Sequence, residues 1–176
     1  MKLQISQTLL SRLTSELAKA GDVEIGGMLF AEHLGGPEFR LHNFSVQHDG
    51  GDQACFTRDP AMHAEHIARF HEETGHDYTR FNYLGEWHSH PSFSVAPSFR
   101  DVRQMQKIAS DPQHELMQAV LLIARLDGNK LEVAAMYFRK SHRPEGVKLV
   151  LTGELPEPAM TETQDANQPA KNEGKP

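Results

Sequence analysis

Apolar residues recur at helical intervals near the start of the chain. Leu9, Leu10, Leu13 and Leu17 fall on one face of a helix predicted over 6–20, with Ser6 as N-cap and Gly21 as the C-terminal stop. Ile5 and Leu10 are placed to form a hydrophobic staple across that start. VEIGGMLF (23–30) reads as a buried strand, in which the pair Gly26 and Gly27 predicts a bulge or the close approach of another group. FRLHNFSVQH reads as a second strand, followed by the loop DGGDQ. A helix is predicted from Asp59 as N-cap and Pro60 at the first helical position; Met62, Ile67 and Phe70 supply its apolar face and Gly75 its end. YLGEWHSH is short, aromatic and stopped by Pro91, which predicts a strand. Phe99, Val102, Met105 and Ile108 mark a third helix beginning near Ser98. MQAVLLIARL and KLEVAAMYFR flank Asp-Gly-Asn and predict a hairpin, and GVKLVL a last short strand.

After about Leu155 the chain turns polar and Pro-bearing, which predicts disorder. The expected organisation is one mixed α/β domain over 1–154 and a polar tail over 155–176. The chain has 176 residues, 38% of them hydrophobic, enough for one domain with a real core. A net charge of −6 without a long basic run argues against nucleic acid or an anionic membrane as partner. Cys55 is the single cysteine, so no intrachain disulfide forms and a reducing compartment is expected. MKLQISQTLLSRL breaks its apolar residues with Gln, Ser and Arg, unlike a signal peptide, and no window offers the roughly 20 apolar residues of a membrane helix. A soluble, cytoplasmic protein is expected.

The chemistry concentrates in GEWHSHPSFSVAPSFRD (85–101). On a strand, His88 and His90 project to the same face, with attachment points roughly 7 Å apart, so both rings can reach one ion. An isolated His-x-His is more often no more than a solvated strand face. Ser98-x-x-Asp101 at the head of an apolar helix is a capping-box pattern that needs no metal. The combination carries more than its parts, because a helix start beside a strand end lets a third ligand converge. Two histidines and one carboxylate leave a fourth tetrahedral position for water, as in a catalytic zinc site. Cys55 has no partner pattern that would close the site.

His88-x-His90, seven residues, Ser98, two residues and Asp101 together resemble the signature of the JAMM (MPN-plus) zinc metalloproteases. GEWHSHP is similar to the compact bacterial members, and Glu24 in VEIGGML stands where that family carries a glutamate on an early strand. The resemblance spans roughly residues 5–140. It implies the MPN (JAB) fold, a mixed curved β-sheet flanked by helices. It also implies one Zn²⁺ per chain with a catalytic water, held by His88, His90 and Asp101. Glu24 would serve as general base and then general acid, and Ser98 as hydrogen-bond donor to the oxyanion. The implied reaction is hydrolysis of a peptide or isopeptide bond after the C-terminus of a ubiquitin-like modifier, in deconjugation or maturation. Bacterial members of this kind sit in operons with ubiquitin-like proteins and relatives of their activating and conjugating enzymes, some of them antiphage. Trimming the tail of a sulfur-carrier protein, or a metal-free MPN scaffold, are the alternatives. The chain is short, with little room for large substrate-gripping insertions.

Phe93 and Val95 lie between the ligands, either against a substrate tail or tucked into the core. HEETGH (71–76) spaces its histidines five apart around Gly75, so they cannot share a helical face as HExxH does. His63 and His66 are expected to be solvated helix residues. His63-Ala64-Glu65 lacks the Pro-Cys-x-x-Cys of a zinc deaminase. Nothing local lowers the pKa of Cys55, which reads as a buried or incidental thiol, and Trp87 reads as core packing on the far face of its strand.

Overall fold

The computed structural model describes residues 1–48, 60–111 and 118–153, with the side chains of 60–62 left aside. The loop DGGDQ, Cys55, the cap at Asp59, Met117 and the polar tail lie outside the described residues. The elements run β1 (Lys2–Ser6), α1 (Gln7–Ala20), β2 (Gly26–Gly35), β3 (Glu38–Phe44), α2 (Pro60–Glu73), β4 (Phe81–Ser89), α3 (Phe99–Ile108), β5 (Gln118–Asp127), β6 (Lys130–Arg139), β7 (Glu145–Gly146) and β8 (Lys148–Thr152).

Among the described residues, eight strands form one mixed sheet in the order β7-β6-β5-β4-β2-β3-β1-β8. β4 pairs with β5 in parallel, β1 runs parallel to both β3 and β8, and the remaining pairs are antiparallel. The sheet curls until its ends nearly meet: Val147 N–H, between β7 and β8, donates to Ala135 O at 2.9 Å, and Lys148 N–H donates to Met1 O at 3.1 Å. This is the expected mixed, curved sheet flanked by helices.

The period of two along each strand sorts side chains to two cores. On one face, Leu9, Leu13 and Leu17 of α1 pack on Leu3, Leu29, Leu41, Trp87, Val120 and Leu122. Each such buried leucine contributes roughly 1.5–3 kcal/mol relative to exposure. On the other face, Met105 and Ala109 pack on Leu121, Ile123 and Phe138, while Phe70 of α2 packs on Met28 and Phe30. Thus α1 covers one face of the sheet, and α2 and α3 the other. Trp87 lies on the α1 side, 1% exposed, against Phe44 and with its Nε1–H donating to Ser45 O at 2.8 Å, as its sequence position suggested.

Two elements differ from expectation. β1 was not anticipated: Ile5 reads locally as a staple, yet Leu3 and Ile5 alternate inward on a strand whose partners come from far along the chain. β2 begins at Gly26 rather than at Val23 and runs on to Gly35. Gly27, the second glycine of the pair, has the physical reason the sequence suggested. A Cβ on Gly27 would stand 2.2 Å from the carbonyl oxygen of Ser45. Gly85 of β4 is as tightly placed, its would-be Cβ 1.9 Å from Val120 O, and a bulge in the β2–β4 ladder falls beside it. The hairpin β5–β6 turns on Gly128 and Asn129, Gly128 adopting φ +59.

Candidate metal centre

Alternation along β4 sends Trp87 and Ser89 toward the α1 side and Glu86 and His88 toward α3, and His90 continues the second set just past the strand end. Ser89 anchors the neighbouring segment. Its N–H donates to Ile25 O at 2.8 Å, and its Oγ accepts from Ile25 N–H at 2.9 Å. With Gly26 in register with His88, this brings Glu24 to the same end of the sheet. Glu24 is 4% exposed. It sits on the segment leading into β2, not within the strand.

Pro91 ends β4 and the chain turns back. His90 Nδ1 lies 2.7 Å from Ser94 O; a carbonyl can only accept, so Nδ1 carries the proton and Nε2 of the neutral ring bears a lone pair. The loop ends at Ser98, the N-cap of α3 with extended backbone. Ser98 Oγ accepts from Asp101 N–H at 3.2 Å, and Asp101 Oδ2 accepts from Ser98 N–H at 2.6 Å, a complete capping box. The capping-box reading of these two residues therefore holds. The box aims the Asp101 carboxylate at the histidines, with Oδ1 3.7 Å from His88 Nε2 and Oδ2 4.0 Å from His90 Nε2. The two Nε2 atoms are 3.1 Å apart.

Among the described residues, His88, His90 and Asp101 are the group of His, Cys, Asp or Glu side chains able to hold a metal ion. Donors about 2.0–2.1 Å from a tetrahedral zinc stand roughly 3.3 Å from one another. The two imidazole nitrogens stand 3.1 Å apart, and with one oxygen taken from Asp101 the three donors lie within 4.8 Å of one another, so the carboxylate must move toward the histidines to close on an ion. Burial pushes the His88 imidazole down to about 4, helped by His90 and opposed by Asp101. The ring is thus neutral at pH 7, the form that coordinates a metal. A two-imidazole, one-carboxylate set is among those that hold a catalytic zinc.

The cluster opens on a cavity of about 300 Å³ that Glu24, Glu86, Ser98, Arg100 and Gln104 also line. All five residues singled out in the sequence therefore reach one cavity. Glu86 and Gln104 were missed. Their signal is periodicity: Glu86 precedes His88 by two on the strand, and Gln104 follows Asp101 by three on the helix. Phe93 and Val95 part company, Phe93 being 52% exposed near the cavity and Val95 packing beneath α3. His63 corrects an expectation. It is not solvated but 1% exposed, with Nδ1 2.7 Å from Ser45 Oγ and Nε2 3.1 Å from Gln47 Oε1. The sheet brings those partners to it, which the helix spacing alone does not show. His71 and His76 are separated by the helix end, His76 adopting φ +58 after Gly75.

The chain matches the sequence model of the family described as prokaryotic homologs of the JAB domain over residues 6–159. A protein of Enterobacter hormaechei subsp. hoffmannii (strain UCI 50) named CD-NTase/cGAS isopeptidase is 28% identical over 127 residues, covering 68% of this chain and 64% of that one. The chain thus spans just under two thirds of that relative's length. The solution structure of protein DSY2949 from Desulfitobacterium hafniense superposes with a TM-score of 0.67 at 19% identity, over 87% of this chain and 94% of that one, and so shares the fold. AF2198, a JAB1/MPN domain protein from Archaeoglobus fulgidus, aligns with a TM-score of 0.45 at 14% identity, over 85% of this chain and 98% of that one. With the family match running across nearly the whole described chain, the protein belongs to the prokaryotic homologs of the JAB domain.

Proposed function

We propose that this chain is a zinc-dependent peptidase that hydrolyses the peptide or isopeptide bond after the C-terminus of a ubiquitin-like protein. The observation that carries the reading is the convergence of His88, His90 and Asp101 in one cavity with the buried carboxylate of Glu24 and the hydroxyl of Ser98. The family match and the relative named an isopeptidase support the reaction class.

His88 Nε2, His90 Nε2 and the Asp101 carboxylate would hold the ion. Zinc bound there supplies a Lewis acid and lowers the pKa of water towards about 7. Glu24 takes a proton from the attacking water and returns it to the departing amine. Ser98 Oγ already accepts from Asp101 N–H, and a hydroxyl keeps its own hydrogen to donate. That hydrogen is directed at the oxyanion of the tetrahedral intermediate. Asp101, fixed by Ser98 N–H, and His90, fixed by Ser94 O, need little rearrangement to bind.

The substrate is a ubiquitin-like protein or its conjugate, and relatives of activating and conjugating enzymes are the expected partners, with antiphage conjugation as a setting. No described helix is long and apolar enough to cross a membrane. Action on cytoplasmic conjugates is part of this reading, and the single cysteine, Cys55, supports it.

Zinc content of the purified chain and of Asp101→Ala, measured side by side, tests the reading. About one zinc in the wild type and none in the variant is expected, with cleavage of a C-terminally extended ubiquitin-like protein by the wild type alone. A wild-type chain that takes up no zinc would leave a scaffold in place of an enzyme.

A further inference from the structure

The strand and the helix that carry the three donors face each other along two successive levels. At the upper level His88 and His90 meet Asp101. One step back along β4 and one turn on along α3, Gln104 Nε2–H donates to Glu86 Oε2 at 3.1 Å. The spacing is what the two periodicities require, since 86, 88 and 90 share a strand face and 98, 101 and 104 share a helix face. Glu86 is 7% exposed. A carboxylate at such a place is costly to bury unless it is hydrogen-bonded, and an apolar side chain would pack against Met105 and Leu121 at less cost. Packing alone therefore does not account for it.

We propose that Glu86 and Gln104 are positioning residues, a cross-brace between β4 and α3 that sets the distance from Asp101 to the two histidines and so tunes metal affinity. This rests on the reading of His88, His90 and Asp101 as a metal site. The capping box fixes Asp101 relative to the start of α3, but not α3 relative to β4. The brace supplies the second constraint. Packing of Met105 and Ala109 on Leu121, Ile123 and Phe138 holds α3 on the sheet, and without the brace small tilts about that contact let Asp101 spend less time within reach of both imidazoles. Outer partners that orient metal ligands typically account for about 10–100-fold in metal affinity. The brace acts one level further out, so the low end is expected.

Zinc affinity by chelator competition, with the visible spectrum of the cobalt-substituted protein, distinguishes the outcomes. Gln104→Leu should weaken zinc binding about tenfold and broaden the cobalt bands. Glu86→Gln keeps an oxygen that accepts from Gln104 and should retain wild-type affinity. Wild-type affinity in Gln104→Leu overturns the brace, as does a Glu86→Gln variant that binds as poorly as Gln104→Leu, since charge and not the hydrogen bond would then matter. If Gln104→Leu does not fold, Gln104→Met keeps the length of the side chain without its donor and carries the same expectation. A wild-type chain without zinc affinity sinks the metal reading itself, a result visible before any variant is compared.

Discussion

Replacing Ser98 by alanine removes two things at once, and the structure allows them to be separated. The first is a helix cap: Ser98 Oγ accepts from Asp101 N–H at 3.2 Å, and loss of such a cap costs about 1 kcal/mol. In a domain of this size that lowers the melting temperature by roughly 2–4 °C. The second is the donor assigned to the oxyanion, whose loss costs about 10²–10³ in kcat. Zinc should stay, because the bond that aims Asp101 at the histidines runs from the backbone N–H of residue 98, which alanine retains. Ser98→Gly separates the effects. Glycine at an N-cap costs only a few tenths of a kcal/mol relative to serine, so stability should return while activity stays low. The assay is a thermal melt, a zinc titration and steady-state cleavage of a C-terminally extended ubiquitin-like protein on all three chains. Near-wild-type kcat in Ser98→Gly refutes the oxyanion assignment. Loss of zinc in Ser98→Ala moves Ser98 from catalysis to holding the metal.

Glu24→Gln should keep one zinc and lose about 10²–10⁴ in turnover; cleavage close to the wild-type rate would end its role as base. In metal-free protein, the His88 pKa of about 4 lies below its usual 6.5, so between those values the unfolded chain binds more protons than the native one. Stability should therefore fall as pH drops from 6.5 toward 4 and level off below, by on the order of 3 kcal/mol from this group. Urea midpoints of wild type and His88→Leu across pH 7 to 4, with chelator present, check this, and parallel curves would contradict it. Gly27→Ala places a methyl 2.2 Å from Ser45 O, and forcing the strands apart should cost about 1–3 kcal/mol, read as a lower urea midpoint.

Local chemistry made much of this protein legible. Leu9, Leu13 and Leu17 at helical spacing gave α1, Asp-Gly-Asn gave the β5–β6 turn, and Ser98 with Asp101 gave both the start of α3 and a carboxylate beside the two histidines. Those signals sit within a few residues of what they specify. β1 was not legible because it is a strand only by virtue of Glu38–Arg40 and Lys148–Thr152, which the fold brings to it. His63 looked solvated for the same reason, since Ser45 and Gln47 reach it across the sheet. The Glu86–Gln104 pair shows that each residue can follow a legible period while their meeting depends on how a helix lies over a strand.

The placement of β1 between β3 and β8 bears on how the chain comes to be folded. β1 is made first, yet one of its edges is covered only when Lys148–Thr152 has been synthesised. Until then the outer N–H and C=O groups of the first strand are open to any passing extended segment. Pairings so distant in sequence fold slowly. Shortening the chain before Lys148 would make that exposure permanent, yielding a product that keeps His88, His90 and Asp101 yet aggregates through the uncovered edge of its first strand.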